Sequence, residues 1–546
     1  TTTTSTASAA AAASSSAAAT KEQKRTGGIA WAGSLVGSEN PNNLGYRYSN
    51  PTKRYRRADD DDDDASKKLP SNVVVQLQNR QGEELANHLD VPTESSVDDL
   101  QALVQSLLDN NDDNDNKQQQ HKSGGIPYSF YAKIEKNGVI DDVEITTTLA
   151  DILIQHQIST EHTLQLTYQP LAVFRVRPVT RCTDTMPGHT EAILHVSYSP
   201  NGQHLASGGG DTTVRFWDVN TCLPKYTCKL HKNHVLCTAW SPDGTRFASS
   251  DKNGVLILWD PTNGTAVFTK QAHKQWITSI AWEPAHLNKG KCERFVTSSK
   301  DASIKIWNAR TQSCLASLSG HTDSVECVKW GGEGFLYSAS RDRTIKMWTA
   351  KVGDDLGKLV KTLKGHAHRI NTLALSNDHV CRTGPFDHRG NAFGSKEEAY
   401  QAAVDKYETA KEQGPERLVS GSDDFTLIMW NPTESKHPVK RLTGHQQAVN
   451  HIAFSPDGRY FASASFDKKV KLWNGFSGDF LTTLTGHVGA VYQVAWSSDS
   501  RYLVSASKDS TAKLWECPSG KKARATLPGH ADEVYALDWS PNGASV

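Results

Sequence analysis

The sequence predicts a mainly β chain, in which eight repeated four-stranded blades follow a small α+β domain and a disordered leader. Three observations carry this reading. His, Ser or Thr, Asp and Trp recur at fixed offsets beyond residue 171, residues 72–170 read as strands and helices in the order ββαββαβ, and residues 1–69 are mostly small or polar. A length of 546 residues, at about 150 per domain, allows three or four domains.

Composition narrows the functional classes. No run approaches the roughly 18 apolar residues of a membrane helix, and the amino end lacks a charged stretch followed by an apolar core, so a soluble, intracellular protein with no membrane partner is expected. Nine scattered cysteines without a CxxC pair argue against a disulfide framework and a zinc cage. The net charge is zero, but it divides: residues 1–170 hold 15 Lys and Arg against 24 Asp and Glu, and residues 171–546 hold 45 against 36. An acidic part precedes a basic one.

Residues 1–69 run from Thr, Ser and Ala into the basic cluster Lys53-Arg54-Tyr55-Arg56-Arg57 and six aspartates, Asp59 to Asp64. Such a segment buries too little apolar surface to offset its ordering entropy and is expected to be disordered. The basic cluster fits a nuclear import signal, a pattern that also arises commonly by chance, and the aspartate run reads as a solvated spacer.

Residues 70–171 form the expected second unit. "NVVVQLQ" and Glu84–Asp90 read as strands, and Ser95 or Ser96 starts a helix with Val97, Leu100, Leu103, Val104 and Leu107 at helical spacing. Residues 110–125 are an acidic loop. "YSFYAKIE" and "VEITTTL" read as strands, "LADILIQ" as a helix and "TLQLTYQ" as a final strand. This order resembles a ubiquitin-like β-grasp domain. Its last strand runs through Tyr168-Gln169-Pro170 into the repeats rather than into a processed Gly-Gly tail, which excludes conjugation.

From residue 172 to 546 a repeat dominates. Gly-His pairs stand at 188, 320, 365, 444, 486 and 529, with Leu230-His231 and Ala272-His273 as weakened versions. Downstream of the first seven, a strand ends in Trp217, Trp259, Trp307, Trp348, Trp430, Trp473 or Trp515. Ten residues before each lies Ser207, Ser249, Thr297, Ser338, Ser420, Ser463 or Ser505, and six before it Asp211, Asn253, Asp301, Asp342, Asp424, Asp467 or Asp509. The pattern resembles the WD-repeat β-propeller.

The spacing has a chemical reason. A turn Asp bonds the histidine ring (His189, His321, His445 and His487 in the most regular units), the ring reaches the hydroxyl, and the hydroxyl reaches the indole N–H, which satisfies every buried polar group. His, Ser and Asp also compose a hydrolase triad, but a trio repeated in seven units with its own Trp reads as architecture, so no catalytic residue is assigned. No phosphate-binding glycine loop, metal cage or lone nucleophile marks an enzyme, and no small-molecule substrate is expected. In blade two, Asn253 and Leu230 predict a weaker network.

Two irregularities interrupt the period. "EPAHLNKGKCE" lengthens a loop of the third unit, and an insertion at 377–416 expands the fifth. Within it, Ser395-Lys396-Glu397-Glu398 fits a capping box and predicts a protruding helix. The eighth unit stops after "VYALDWS" and "PNGASV", which predicts a truncated last blade, an outer strand from Phe174–Arg181, and a native chain that continues past Val546.

Eight such units behind this β-grasp domain resemble the Notchless family of large-subunit ribosome assembly factors, through "YQPLAVFRVRPVTR", "ITSIAWEPAHLN", "VECVKWGG", "CRTGPFDHRG" and "LTGHVGAVYQVAWSSDSRYLVSASKDS". The resemblance covers residues 72–546. It implies a nuclear and nucleolar, non-enzymatic factor whose propeller docks on the pre-60S particle, with its rRNA and other assembly factors. The β-grasp domain would bind the metal-ion-dependent adhesion site of the AAA ATPase midasin, whose ATP hydrolysis remodels or releases the factor. No cofactor is bound by this chain alone. At the interface the partner holds a Mg ion, and Glu161, at the position matching the family's acidic ligand, completes its coordination as a hard oxygen donor. The competing readings are a generic WD-repeat adaptor, such as a ubiquitin-ligase substrate receptor, and a modulator of Notch signalling.

Overall fold

The computed structural model describes residues 70–79, 84–111, 128–136, 139–145, 147–156, 158, 163–170 and 174–546, except 352, 354, 391, 413 and 519. The leader, the loop at 112–127 and Glu161 lie outside the described residues.

The first domain is a five-stranded mixed sheet with two helices. Its elements are β1 (Asn72–Asn79), β2 (Glu84–Pro92), α1 (Val97–Asn111), β3 (Tyr128–Lys136), β4 (Val139–Glu144), α2 (Leu149–His156) and β5 (Leu164–Pro170), in the spatial order β2-β1-β5-β3-β4. β1 and β5 are parallel, with Val75 opposite Leu164. That order with a central parallel pair is a β-grasp sheet. Val75, Leu77, Phe130, Leu166 and Val104 are fully buried between sheet and helices. Ser96 starts α1, where its N–H and hydroxyl both donate to Asp99.

One strand is displaced from its sequence expectation. "VEITTTL" was expected as a strand, but β4 ends at Glu144. Ile145 drops into the core, its N–H donating to the Phe130 carbonyl at 2.8 Å, and Thr148 accepts from the Asp151 N–H at the start of α2. Thr side chains compete for backbone groups at a helix start, and here the cap outweighs their strand preference.

Seven sheets of four sequential antiparallel strands follow, spanning residues 193–228, 235–271, 277–318, 325–364, 370–442, 449–485 and 491–527. Each inner strand packs beside the next. The apolar clusters lie between sheets: Phe216 and Val214 of blade one meet Trp240 and Phe247 of blade two, and the arrangement repeats around the ring.

The eighth unit contains no strand, and none is found at Phe174–Arg181. The backbone of the last unit is bonded to a side chain and within a local turn instead, the Leu537 N–H donating to Gln493 at 3.2 Å and the Ser540 N–H to the Ser545 carbonyl at 3.0 Å. Its residues nevertheless occupy the place between blades seven and one. Val534, Leu537 and Trp539 are buried with Val176 against Tyr502 and Val504, and Asp538 accepts from the Tyr198 N–H at 2.8 Å.

The insertion in blade five does not protrude. It carries α3 (Asp378–Thr383) and α4 (Lys396–Glu412), and it lies back on the blades. Ala403 is buried with Ala285 and Cys292, Tyr407 stacks on His286 with ring centroids 3.8 Å apart, and Gly390 approaches the Asn201 carbonyl of blade one. The long loop of the third unit is the surface on which α4 rests, so the two irregularities are one feature. Ser395 and Glu398 form the capping box, each accepting the other's N–H.

Candidate functional site

The recurrent polar groups meet between the strands of each blade. In blade one, His189 Nδ1 is 2.9 Å from Asp211, His189 Nε2 is 2.7 Å from Ser207 Oγ, and Trp217 Nε1 donates to the same hydroxyl at 2.9 Å. The three distances are 2.7, 2.8 and 2.9 Å for His321, Asp342, Ser338 and Trp348. For His445, Asp467, Ser463 and Trp473 they are again 2.7, 2.8 and 2.9 Å, and for His487, Asp509, Ser505 and Trp515 they are 2.9, 2.7 and 2.8 Å. Blades three and five close the same way through Thr297 and Ser420.

One assignment of hydrogens satisfies every group: Nδ1–H donates to Asp, the hydroxyl donates to Nε2, and the indole donates to the hydroxyl. These hydroxyls are shut away from solvent, Ser338, Ser463 and Ser505 being 0% exposed. A hydroxyl already shared by an imidazole and an indole has no path to a substrate. Burial pushes the Asp342, Asp424 and Asp509 carboxyls up, but bonds from the histidines, threonines and backbone N–H groups outweigh it and hold all three well below the usual carboxylate range. Burial, only partly offset by Asp301, pushes the His273 imidazole down to about 4.

Blade two has the weaker network expected from Asn253 and Leu230, but the acid beside its histidine is a different residue. Asn253 does not face His231 but bonds Asn233 at 2.9 Å. Asp251, two residues earlier, takes its place: its carboxylate lies 3.3 Å from His231 Nδ1, both side chains fully buried, in contact but poorly aligned for a hydrogen bond. Ser249 still joins His231 and Trp259, both at 2.7 Å.

A second tryptophan series escaped the sequence reading. Trp240, Trp282 and Trp496 end inner strands and donate to the carbonyls of Ser197, Ala239 and Ala453 in the preceding blade at 3.0, 3.1 and 2.9 Å. The visible signal was the recurring small-residue-Trp ending of "CTAW", "SIAW" and "QVAW".

Among the described residues no group of three or more His, Cys, Asp or Glu could hold a metal ion, and no helix is long and apolar enough to cross a membrane.

Comparison with known proteins matches both modules. The NLE (NUC135) domain family matches residues 73–153. The WD domain, G-beta repeat family matches 180–218, 222–260, 264–308, 312–349, 436–474, 478–516 and 521–546, passing over the blade that holds the insertion. The chain is 50% identical over 410 residues to the Notchless protein homolog of Arabidopsis thaliana, covering 75% of this chain and 81% of that protein. It is 42% identical over 393 residues to Protein Notchless of Drosophila melanogaster, covering 71% and 75%, and 44% identical over 412 residues to Ribosome assembly protein 4 of Saccharomyces cerevisiae, covering 74% and 77%. With both modules matched and most of each relative spanned, the chain belongs to the Notchless family.

Proposed function

We propose that this chain is a non-enzymatic assembly factor of the large ribosomal subunit, acting in the nucleus and nucleolus. The observation that carries the reading is the extended likeness to Ribosome assembly protein 4, 44% identical over 412 residues. The blade chemistry agrees with it: His, Ser, Asp and Trp are spent on one another inside the blades, so the propeller offers surfaces rather than a reaction centre. In this reading the propeller, on the basic side of the chain's charge division, docks on the pre-60S particle.

The β-grasp domain then engages midasin. Glu161 precedes β5, the strand at the centre of the sheet, and its carboxylate would donate an oxygen to a Mg ion held in the partner's adhesion site. A hard divalent cation takes such a ligand readily, and ATP hydrolysis by the partner would act on the factor through that bond.

Two measurements test this. Sedimentation of a cell extract is expected to show the chain co-migrating with pre-60S particles; co-purification with a cullin instead would support the adaptor reading. In a pull-down with the isolated adhesion domain, Glu161→Ala is expected to abolish Mg-dependent binding while leaving folding intact. Glu161→Asp should bind poorly, because its carboxylate retreats by about one methylene. Undiminished binding by Glu161→Ala would remove Glu161 from the mechanism.

A further inference from the structure

One backbone hydrogen bond recurs in all seven blades, from the residue before each turn Asp (Asn253 in blade two) to a carbonyl at the start of the inner strand. It joins Gly210 to Ala192, Lys252 to His234, Lys300 to Trp276, Arg341 to Ser324, Asp423 to Arg369, Phe466 to Ala448 and Lys508 to Ala490, at 2.8–3.1 Å. These positions therefore occupy equivalent places on one face of the ring. In blades two, three and four they hold Lys252, Lys300 and Arg341 in succession. Elsewhere the position is Gly, Asp or Phe, or it is Lys508, which Glu533 answers at 3.2 Å.

The basic arc has an aromatic at its centre. Trp276 is 36% exposed, with the ammonium groups of Lys300 and Lys252 lying 3.8 and 4.6 Å from its ring centroid. Neither lysine pairs with a carboxylate among the described residues. Further along the same face a cleft of about 400 Å³ opens between blades four and five, lined by Arg341, Arg343, His368, Arg369 and Asp323. Arg341 is taken by Glu326 and Arg369 by Asp423, but the exposed Arg343 side chain has no partner among the described residues.

We propose that this face binds single-stranded RNA, with Trp276 as the platform for a base and Lys252, Lys300 and Arg343 as phosphate contacts. Cations alternating with an exposed π surface match a ligand that alternates phosphates and bases. An acidic peptide would answer the cations but leave the indole without a counterpart. In the free protein the two ammonium groups rest on the indole as a cation–π pair; on binding they turn to phosphates and release the ring to a base. The inference rests on the ribosome-assembly reading for its choice of RNA, and it deepens that reading by naming the contact.

The test is fluorescence anisotropy of a labelled uridine decamer titrated with the full chain at two salt concentrations. Using the full chain throughout makes any contribution of the Lys53–Arg57 cluster common to every variant. Binding should weaken as salt rises. Trp276→Ala should weaken it about tenfold, and Trp276→Phe should keep most of it. Lys300→Ala and Arg343→Ala should each reduce the salt dependence by about one contact. Thermal melts of Trp276→Ala matching the parent show that the blade is intact. Unchanged affinity in Trp276→Ala and Lys300→Ala overturns the proposal, as does a glutamate decamer that binds more tightly than the RNA. Sedimentation of the parent chain is read separately: co-migration with indifference of RNA binding to Trp276 defeats only this inference, and Trp276-dependent RNA binding without co-migration defeats only the assembly reading.

Discussion

The Arg382 guanidinium, in α3 of the blade-five insertion, donates to the Asp538 carboxylate of the last unit at 2.7 Å, and the second oxygen of Asp538 accepts the Tyr198 N–H of blade one. A single carboxylate thus ties the last unit both to the first blade and to the insertion. Inter-sheet clusters join blades one through seven to one another and blade seven to the last unit, and this polar node adds a link from the last unit to blade one.

Asp538→Ala is expected to destabilise the propeller more than Arg382→Ala, because it strands a backbone N–H as well as breaking an ion pair. The first should cost about 1–3 kcal/mol, and a double-mutant cycle in urea should give a coupling of about 1 kcal/mol between the two residues. Additive effects would show that the pair contributes nothing beyond its separate contacts.

Blade two offers a test of the network's logic. Asp251→Ser, which installs the residue found at this place in blades three to seven, should cost about 1–3 kcal/mol because His231 loses the carboxylate 3.3 Å from its ring. Asn253→Asp alone should also destabilise, by crowding a second carboxylate beside Asp251. The double substitution rebuilds the arrangement of the other blades and should recover most of the loss. Denaturant midpoints of the three variants decide this.

The seat of α4 on the third-unit loop can be loosened without touching a blade. Ala403→Glu places a charge against Ala285 and Cys292, where Ala403 is 2% exposed. Limited proteolysis within residues 385–415 should accelerate about tenfold, while the circular dichroism of the β structure stays as in the parent.

Stability should fall in two stages with acid. The His273 imidazole, held near 4 against an ordinary value of 6.5, binds fewer protons folded than unfolded; its contribution is complete above pH 6.5 and lost as pH falls through about 4. His487 shifts the same way, lowered mainly by burial. The turn aspartates Asp342, Asp424 and Asp509 are also depressed, so their contribution is present above the ordinary carboxylate value of about 4 and lost below it. Urea titrations from pH 7 to 3 should show a gentle decline that steepens near pH 4. Flat stability between pH 7 and 5 would contradict the histidine stage.

Much of the architecture was legible because its determinants are local. The His, Ser, Asp and Trp offsets follow from strand length and turn geometry within one blade, and the capping box at Ser395 and Glu398 lies inside four residues. β4 was misplaced because "VEITTTL" has strand propensity throughout, and only Ile145 reaching the core and Thr148 capping α2 end the strand early. Asp251 was passed over because the rule looked for an acid at position 253, whereas a carboxylate two residues away in a tight turn reaches the same imidazole. Glu161 is proposed from the family resemblance alone, since a single glutamate carries no sequence pattern of its own.

By itself the sequence determined the two modules, the number of repeat units, the internal satisfaction of their polar groups and the charge division between the modules. These depend on periodicity and composition, which the chain carries along its length. Only the tertiary structure decided that the insertion lies across the blades rather than away from them, that Asp538 joins the last unit to the first blade, and that Trp276 stands beside the ammonium groups of Lys252 from blade two and Lys300 from its own blade. Each of these depends on groups distant in sequence that the ring brings side by side. A ring closes by geometry, and no single blade encodes what its neighbours will place beside it.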